Sequence, residues 1–314
     1  MSGAPPRTRA SAFAPASVGN VAIGFDILGF AVEALGDRVT VTATAAPGVT
    51  ISAVRGIAGE LPQRVEDNTA GRALLAMQEA LQPKFGFTLE IDKGIPLGSG
   101  LGGSAASAVA AVVAANALLA EPCGQLELLK FAMAGEAVAS GGRHVDNIAA
   151  SLYGGLVLTV GIDHPRVKRI PVPASIRAVI VHPHMFLATA KARAILRRSV
   201  ELSDFVWQTA HLAGFISGCY TDDLDMIRAS LEDVVIEPQR QALIPGFADV
   251  RRGAMAAGAL GCSISGAGPS MFAWALEATA PKVLAAMREA FARHSLATDE
   301  WVVELRSDGA RVIG

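Results

Sequence analysis

Ile95-Pro-Leu-Gly-Ser-Gly-Leu-Gly-Gly-Ser-Ala-Ala-Ser107 is the stretch on which the reading of this chain turns. Glycine and serine crowd the turn, and alanine-rich apolar sequence follows as far as residue 120. Glycines leave backbone N–H groups unshielded by Cβ atoms, and a helix start adds the positive end of its dipole, so the stretch predicts an anion site. Ser104 and Ser107 add hydroxyls for a phosphate or a metal.

Three kinds of phosphate loop compete for it. Gly98-x-Gly100-x-x-Gly103 satisfies the dinucleotide fingerprint, but that motif needs a strand ending in an acidic residue about 20 residues on. A second helix, over residues 125–139, is predicted there instead. A Walker A loop needs Gly-Lys-Ser/Thr, and no lysine lies between Gly94 and Glu127. The protein-kinase loop sits between two strands with a lysine on the second, and neither condition holds. A glycine turn without a ligand is the plain alternative, but it leaves the hydroxyls gathered at one helix start unexplained.

Outward from the loop, residues 10–14, 28–33, 38–44 and 87–91 read as strands, with a loop from 15 to 26. Residues 68–81 carry helical spacing behind Asp67-Asn68-Thr69, which offers cap chemistry. The helix at 125–139 ends at Gly141-Gly142, and a helical turn near 146–151 and a strand at 155–160 follow. The polar, proline-dotted residues 161–173 form the candidate domain boundary. Beyond it, strands are expected at 177–182, 260–265, 271–276 and 301–305, and helices near 189–198, 203–219, 222–231, 246–257 and 280–294. Mixed elements without strict βαβ alternation predict an α+β architecture.

The whole chain narrows the function classes. Its 314 residues favour two domains, here 1–165 and 166–314, and 51% hydrophobic composition with 18% charge supplies packed interiors. A net charge of −2 gives no footprint for nucleic acid or an anionic membrane, so any phosphate must be held locally. Cys123, Cys219 and Cys262 have neither disulfide nor zinc spacing and read as small buried hydrophobes in a reducing compartment. The first 17 residues lack an apolar signal-peptide core, and residues 104–120 are too short and too alanine-rich for a membrane span. A soluble, cytoplasmic protein is the expectation.

Pro96-x-Gly98-x-Gly100-Leu-Gly-x-Ser104-Ala-Ala resembles the phosphate loop of the GHMP kinases, a superfamily of ATP-dependent small-molecule kinases. Ala14-Pro-Ala-Ser-Val-Gly-Asn20-x3-Gly24-Phe-Asp26-x-Leu-Gly-Phe30 is similar to their first motif, and Ser263-Ile-Ser-Gly-Ala-Gly-Pro-Ser270 to their third. Three blocks in order span nearly the whole chain. The first most resembles the homoserine kinases, since the Gly-Glu-His patterns of galactokinase and mevalonate kinase are missing. Glu136-x7-His144-x-Asp146-Asn147, Thr189-x3-Arg193 and Glu237-Pro-x-Arg240-x3-Ile244-Pro-Gly246 favour the same group.

The resemblance implies an N-terminal domain like ribosomal protein S5, a ferredoxin-like C-terminal domain, a homodimer, and phosphorylation of the hydroxyl of L-homoserine by ATP with Mg2+. It places nucleotide at Asn68, Pro96, Leu97, Gly98, Ser99, Gly100, Leu101, Gly102, Gly103, Ser104 and Ser107. Asn68 matches the adenine-contacting position, with a helix cap as its other reading. Amino-acid substrate falls to Asn20, Asp26, His144, Asp146, Thr189, Arg193, Arg240 and Gly266.

Elementary chemistry runs the same way. A guanidinium fork pairs with a carboxylate, for which Arg193 and Arg240 are the candidates. An ammonium and a hydroxyl want carboxylate or amide partners, for which Asn20, Asp26, His144 and Asp146 are the candidates. Glu136 sits at the flank of an apolar helix face; an inward carboxylate there would take Mg2+ together with Ser104, while an exposed helix glutamate is the ordinary case. The superfamily's catalytic aspartate falls on Asn147, which cannot accept a proton, so proximity catalysis stands against Asp26 as base. Gly103 replaces a serine common among relatives, which removes one hydroxyl. Other acceptors (shikimate, an isoprenoid intermediate) and an inactive nucleotide binder remain alternatives.

Overall fold

Every second residue from Ala10 to Ala14 is buried, the mark of a strand with one face on a core. The computed structural model describes residues 7–57, 61–140 and 144–313. Among them one sheet holds seven strands: β1 (Arg9–Gly19), β2 (Leu28–Thr44), β3 (Val49–Gly56), β4 (Gly86–Lys93), β5 (Leu156–Val160), β6 (Arg166–Ile170) and β11 (Arg311–Ile313). The order is β11-β1-β2-β4-β3, with β5 on β2 and β6 on β5; only β3 and β4 run parallel.

Helices α1 (Thr69–Leu81), α2 (Gly103–Asn116), α3 (Gln125–Ser140) and α4 (Asp146–Tyr153) go with this sheet. Alanines and valines bury α2 almost all round, as expected of a helix that is apolar on every side.

The second sheet has the order β10-β7-β9-β8, all antiparallel, from β7 (Ile176–Pro183), β8 (Gly261–Ile264), β9 (Met271–Leu276) and β10 (Thr298–Glu304). Period-2 alternation divides its side chains between two cores. Val179, Val181 and Ala273 face α9 (Phe247–Ala256) and α10 (Ala280–Arg293), while Ile180, Phe272 and Trp274 join the core of the first sheet. There Phe30 meets Phe272 at 5.6 Å and Phe215 meets Trp274 at 5.1 Å between ring centres. Aromatic contacts of this kind tie the two halves into one packed body.

Several expectations need correction. The strands read at 28–33 and 38–44 are one element, because a register shift between Pro15 and Ala16 absorbs residues 33–35 without ending the pairing. β1 continues to Gly19 through the expected loop, and α2 ends at Asn116 rather than near 120. Within the boundary segment read at 161–173, residues 166–170 form β6, which pairs with β5, and β11 returns to the first sheet from the far end. Gly141-Gly142 lies outside the described residues. Cys219 and Cys262 are buried as expected, but Cys123 is only half-buried. No helix among the described residues is long and apolar enough to cross a membrane.

Along the chain α5 (Thr189–Ala194), α6 (Leu202–Thr221), α7 (Leu224–Ser230) and α8 (Glu237–Arg240) lie between β7 and β8. Glu237 opens α8 buried, with a hydrogen bond from Ser263 and the Arg251 guanidinium 3.5 Å away. Burial, only partly offset by that hydrogen bond and charge, pushes its carboxyl up to about 7. An acid raised in the fold keeps its proton longer than the unfolded chain does. Stability therefore falls as pH rises from the unfolded value near 4.3 through about 7. Glu237→Gln removes this dependence: relative to the parent it should gain roughly 1–3 kcal/mol between pH 5 and pH 8 in urea titrations. A parent–variant difference that does not change with pH would contradict this.

Candidate active site

The turn between β4 and α2 has left-handed backbone at Gly98 (φ 61°), Gly100 (φ 77°) and Gly102 (φ 67°), as the clustered glycines predict. Space demands glycine as well. A Cβ on Gly100 would lie 2.5 Å from the Ser265 carbonyl oxygen, and one on Gly102 would lie 2.2 Å from Ser17 Oγ. The loop's carbonyls are taken by distant donors: Gly98 by Leu187 N–H (3.1 Å), Ser99 by Ser270 N–H (3.1 Å) and Gly100 by Ser265 O–H (2.7 Å). Gly102 caps α2 with no side-chain hydrogen bond, so the first N–H groups of that helix are open toward the cleft that Gly103, Ser104 and Ala105 line.

Beneath the loop lies a buried charge pair that sequence reading missed. Lys93 Nζ donates to Asp37, to the Gly103 carbonyl (2.7 Å) and to Ser107 Oγ (2.9 Å). Asp37 also accepts from the N–H groups of Gly94 (3.0 Å) and Ile95 (3.3 Å) and from Ser107 (2.6 Å). Both ends of the glycine loop are thus pinned to one ion pair. Ser107, expected at the nucleotide, is spent here and does not line the cleft. The charges stand 56 residues apart on neighbouring strands, and only their position on buried faces hinted at them.

At the other end of the cleft, Asn20, Val21, Ala22 and Asp26 all have positive φ (69°, 46°, 58° and 62°). Left-handed conformation costs non-glycine residues of order 1–3 kcal/mol each and persists where surroundings enforce it. Asn20 is the enforcer: its N–H reaches Asp146 (3.2 Å), its side-chain N–H the Gly266 carbonyl (2.9 Å), and its oxygen accepts from Asp26 N–H (3.0 Å). Asp26 receives both Nη groups of Arg193, at 2.6 and 3.1 Å, with His144 Nδ1 at 3.6 Å. Burial alone would raise the Asp26 carboxyl, but hydrogen bonds and charge from His144 and Arg193 bring it down to about 2. Arg240 donates to the carbonyls of Ala192 (3.1 Å) and Gly266 (3.0 Å).

Burial, and after it the charge of Asp26, pushes the Asp146 carboxyl up to about 6. Asp146 Oδ1, His144 Nε2 and Arg193 Nε are buried without a hydrogen-bond partner among the described residues. Unmet groups of this kind cost about 1–3 kcal/mol each and call for a ligand or for solvent.

One cleft gathers Asn20, Asp26, His144, Asp146, Asn147, Thr189, Arg193, Arg240 and Gly266 with Pro96, Leu97, Gly98, Ser99, Gly100, Gly102, Gly103, Ser104 and Glu136. Besides Ser107, two expected members are elsewhere. Leu101 is buried; its carbonyl accepts from Ser17 N–H (3.1 Å) and its N–H donates to Ser99 Oγ (3.3 Å). Asn68 spends its side chain on the N–H groups of Ala70 and Gly71 and on the Pro62 carbonyl, capping α1. Asn147 lines the cleft and accepts from Ser17 O–H (2.9 Å). Glu136 is buried rather than exposed; burial pushes it up to about 7 against a hydrogen bond from Ser104.

The GHMP kinases N terminal domain matches residues 68–155 and the GHMP kinases C terminal domain matches residues 215–293. The homoserine kinase of Xylella fastidiosa (strain M12) is 50% identical over 99% of this chain and 96% of its own. That of Chlorobium phaeobacteroides (strain BS1) is 41% identical over 96% and 98%. The crystal structure of homoserine kinase from Cytophaga hutchinsonii superposes with a TM-score of 0.94 at 43% identity, covering 98% of each chain. The Leishmania major mevalonate kinase, 15% identical with a TM-score of 0.66, shares the fold. This chain therefore belongs to the homoserine kinase family of the GHMP kinases.

Proposed function

We propose that the cleft transfers the γ-phosphoryl group of ATP to the hydroxyl of L-homoserine, giving O-phospho-L-homoserine for threonine synthesis. The observation that carries this reading is the meeting of Arg193, Arg240, Asp26, His144 and Asp146 with the glycine loop in one cleft. Arg193 and Arg240 receive the substrate carboxylate. Asp26 and Asp146 face its ammonium, and Asn20 orients its hydroxyl toward the loop. Residues 98–104 cradle the β- and γ-phosphates with backbone N–H groups and the start of α2.

Ser104 and Glu136 suit Mg2+. A buried carboxyl hydrogen-bonded to a hydroxyl at the phosphate loop is a fitting donor pair, and no group of three His, Cys, Asp or Glu among the described residues could hold a metal alone. The remaining ligands are then phosphate and water oxygens, the usual surroundings of this ion. When bound, Mg2+ offsets phosphate charge during transfer.

Asn147 cannot serve as a base, and an Asp26 carboxyl near 2 is a poor proton acceptor. The hydroxyl proton passes instead to a phosphate oxygen, with catalysis resting on placement at about 3–3.5 Å. A homodimer in the cytoplasm belongs to the same reading; exposed Leu202, Phe205 and Val206 on α6 offer a second copy an apolar face.

The test is ADP release from Mg-ATP with homoserine, shikimate, mevalonate, galactose and threonine offered separately. Release with homoserine alone, abolished by EDTA, is the expected result. Release with another acceptor would keep the phosphate loop and overturn the assignment of the arginines. Light scattering on the same preparation should give twice the 32.4 kDa chain mass.

A further inference from the structure

Phe25 takes no part in the reading above, yet it touches both of its arginines. The guanidinium carbon of Arg193 lies 5.3 Å from the centre of the Phe25 ring, and that of Arg240 lies 5.2 Å away. Both are inside the ~6 Å over which an aromatic face attracts a cation. The ring is half-buried and sits next to Asp26 on the strained turn.

Two guanidinium groups brought together repel. Burial, and after it the charge of Arg193, lowers Arg240 to about 10. Hydrogen bonds fix the two arginines separately, Arg193 through Asp26 and Arg240 through the carbonyls of Ala192 and Gly266. Among the described residues Phe25 is the one aromatic ring that both guanidinium groups face.

We propose that Phe25 is a specificity-determining positioning residue, whose ring holds Arg193 and Arg240 at the separation that lets one α-carboxylate engage both. This rests on the reading of the cleft as an amino-acid site. The attraction comes from the ring's quadrupole, which an aliphatic side chain of similar size lacks, so packing and positioning can be separated by substitution.

The experiment compares parent, Phe25→Leu and Phe25→Tyr enzymes with Mg-ATP and two acceptors. One is L-homoserine; the other is 3-aminopropan-1-ol, which keeps the hydroxyl and amino groups and lacks the carboxylate. Where its turnover is too slow to follow, it is measured as a competitive inhibitor. Phe25→Leu should raise KM for L-homoserine about tenfold, with kcat and KM for ATP within about twofold of the parent. Phe25→Tyr should stay within about twofold on every parameter, because it keeps the ring face. Neither substitution should change the response to 3-aminopropan-1-ol.

An equal loss on both acceptors, or a tyrosine variant as poor as the leucine one, overturns the inference. If the leucine variant fails to fold, Phe25→Met takes its place, with calorimetric binding of L-homoserine as the readout. A parent inactive on homoserine sinks the underlying reading; an active parent matched by Phe25→Leu sinks this inference alone.

Discussion

In the Asp26→Asn enzyme, KM for homoserine should rise about a hundredfold while kcat stays within about tenfold of the parent. Asp26 is the acidic side chain best placed to be mistaken for a general base. It lines the cleft, belongs to the first motif and has Arg193 and His144 beside it. Those neighbours are what disqualify it. A carboxyl held near 2 by His144 and Arg193 keeps a proton too weakly to draw one from an alcohol at neutral pH. Its charge balances Arg193 and, in the proposed reading, attracts the substrate's ammonium group. The amide of asparagine keeps the shape and loses the charge, so hydrogen bonds worth about 1.5–3 kcal/mol to a charged partner weaken in the ground state and the transition state alike. Uniform loss of that kind appears in KM. A fall of about a thousandfold in kcat with KM unchanged would restore Asp26 as base.

Lys93→Met should cost about 3–5 kcal/mol of stability, the toll of leaving a buried ion without its partner. The Lys93 side chain is 2% exposed and that of Asp37 is fully buried. The N–H groups of Gly94 and Ile95 and the Ser107 hydroxyl would still reach Asp37, but none carries a charge. In thermal melts the variant should unfold roughly 5–8 °C lower, given about 1.5 °C per kcal/mol for a chain this long. Adding Asp37→Leu should recover part of the loss, since removing both charges is cheaper than removing one. The glycine loop loses an anchor in either case, so KM for ATP should rise in the double variant even where its stability recovers. A single variant that melts with the parent would show that the pair carries little of the fold's stability.

How far these features could be read beforehand depended on whether their cause was local. The glycine loop announces itself because left-handed turns and a helix start leave their mark within ten residues, and α1 was legible down to its Asn68 cap. Asn68 also shows the limit of motif transfer: its side chain is consumed by the cap that its own neighbours predict. β3 went unread because its residues alternate between half-buried and exposed, with little apolar contrast to detect. β6 was hidden by its charge, Arg-Val-Lys-Arg-Ile, which an edge strand tolerates. In the cleft, residue types at motif spacing located the arginines and acids, and Glu136 betrayed its inward turn by its place beside Met133. The Asp37–Lys93 pair, the Asp26–Arg193 pair and the Phe25 contacts join positions far apart in the chain, and no window of sequence contains both partners.

The hydrogen bonds that turn the glycine loop toward the cleft have a bearing on the order of events at the ribosome. Ser265 lies 165 residues beyond the Gly100 carbonyl that it engages. At about 5–20 residues per second, some ten to thirty seconds of translation separate the loop from its clamp. Most strands of the first sheet are made before then, but the edge strand β11 is the last of all to emerge. A nascent chain can therefore gather much of its first core while the phosphate loop still lacks its shape. Competence for ATP arrives near the end of synthesis, so unfinished chains have little means of sequestering nucleotide.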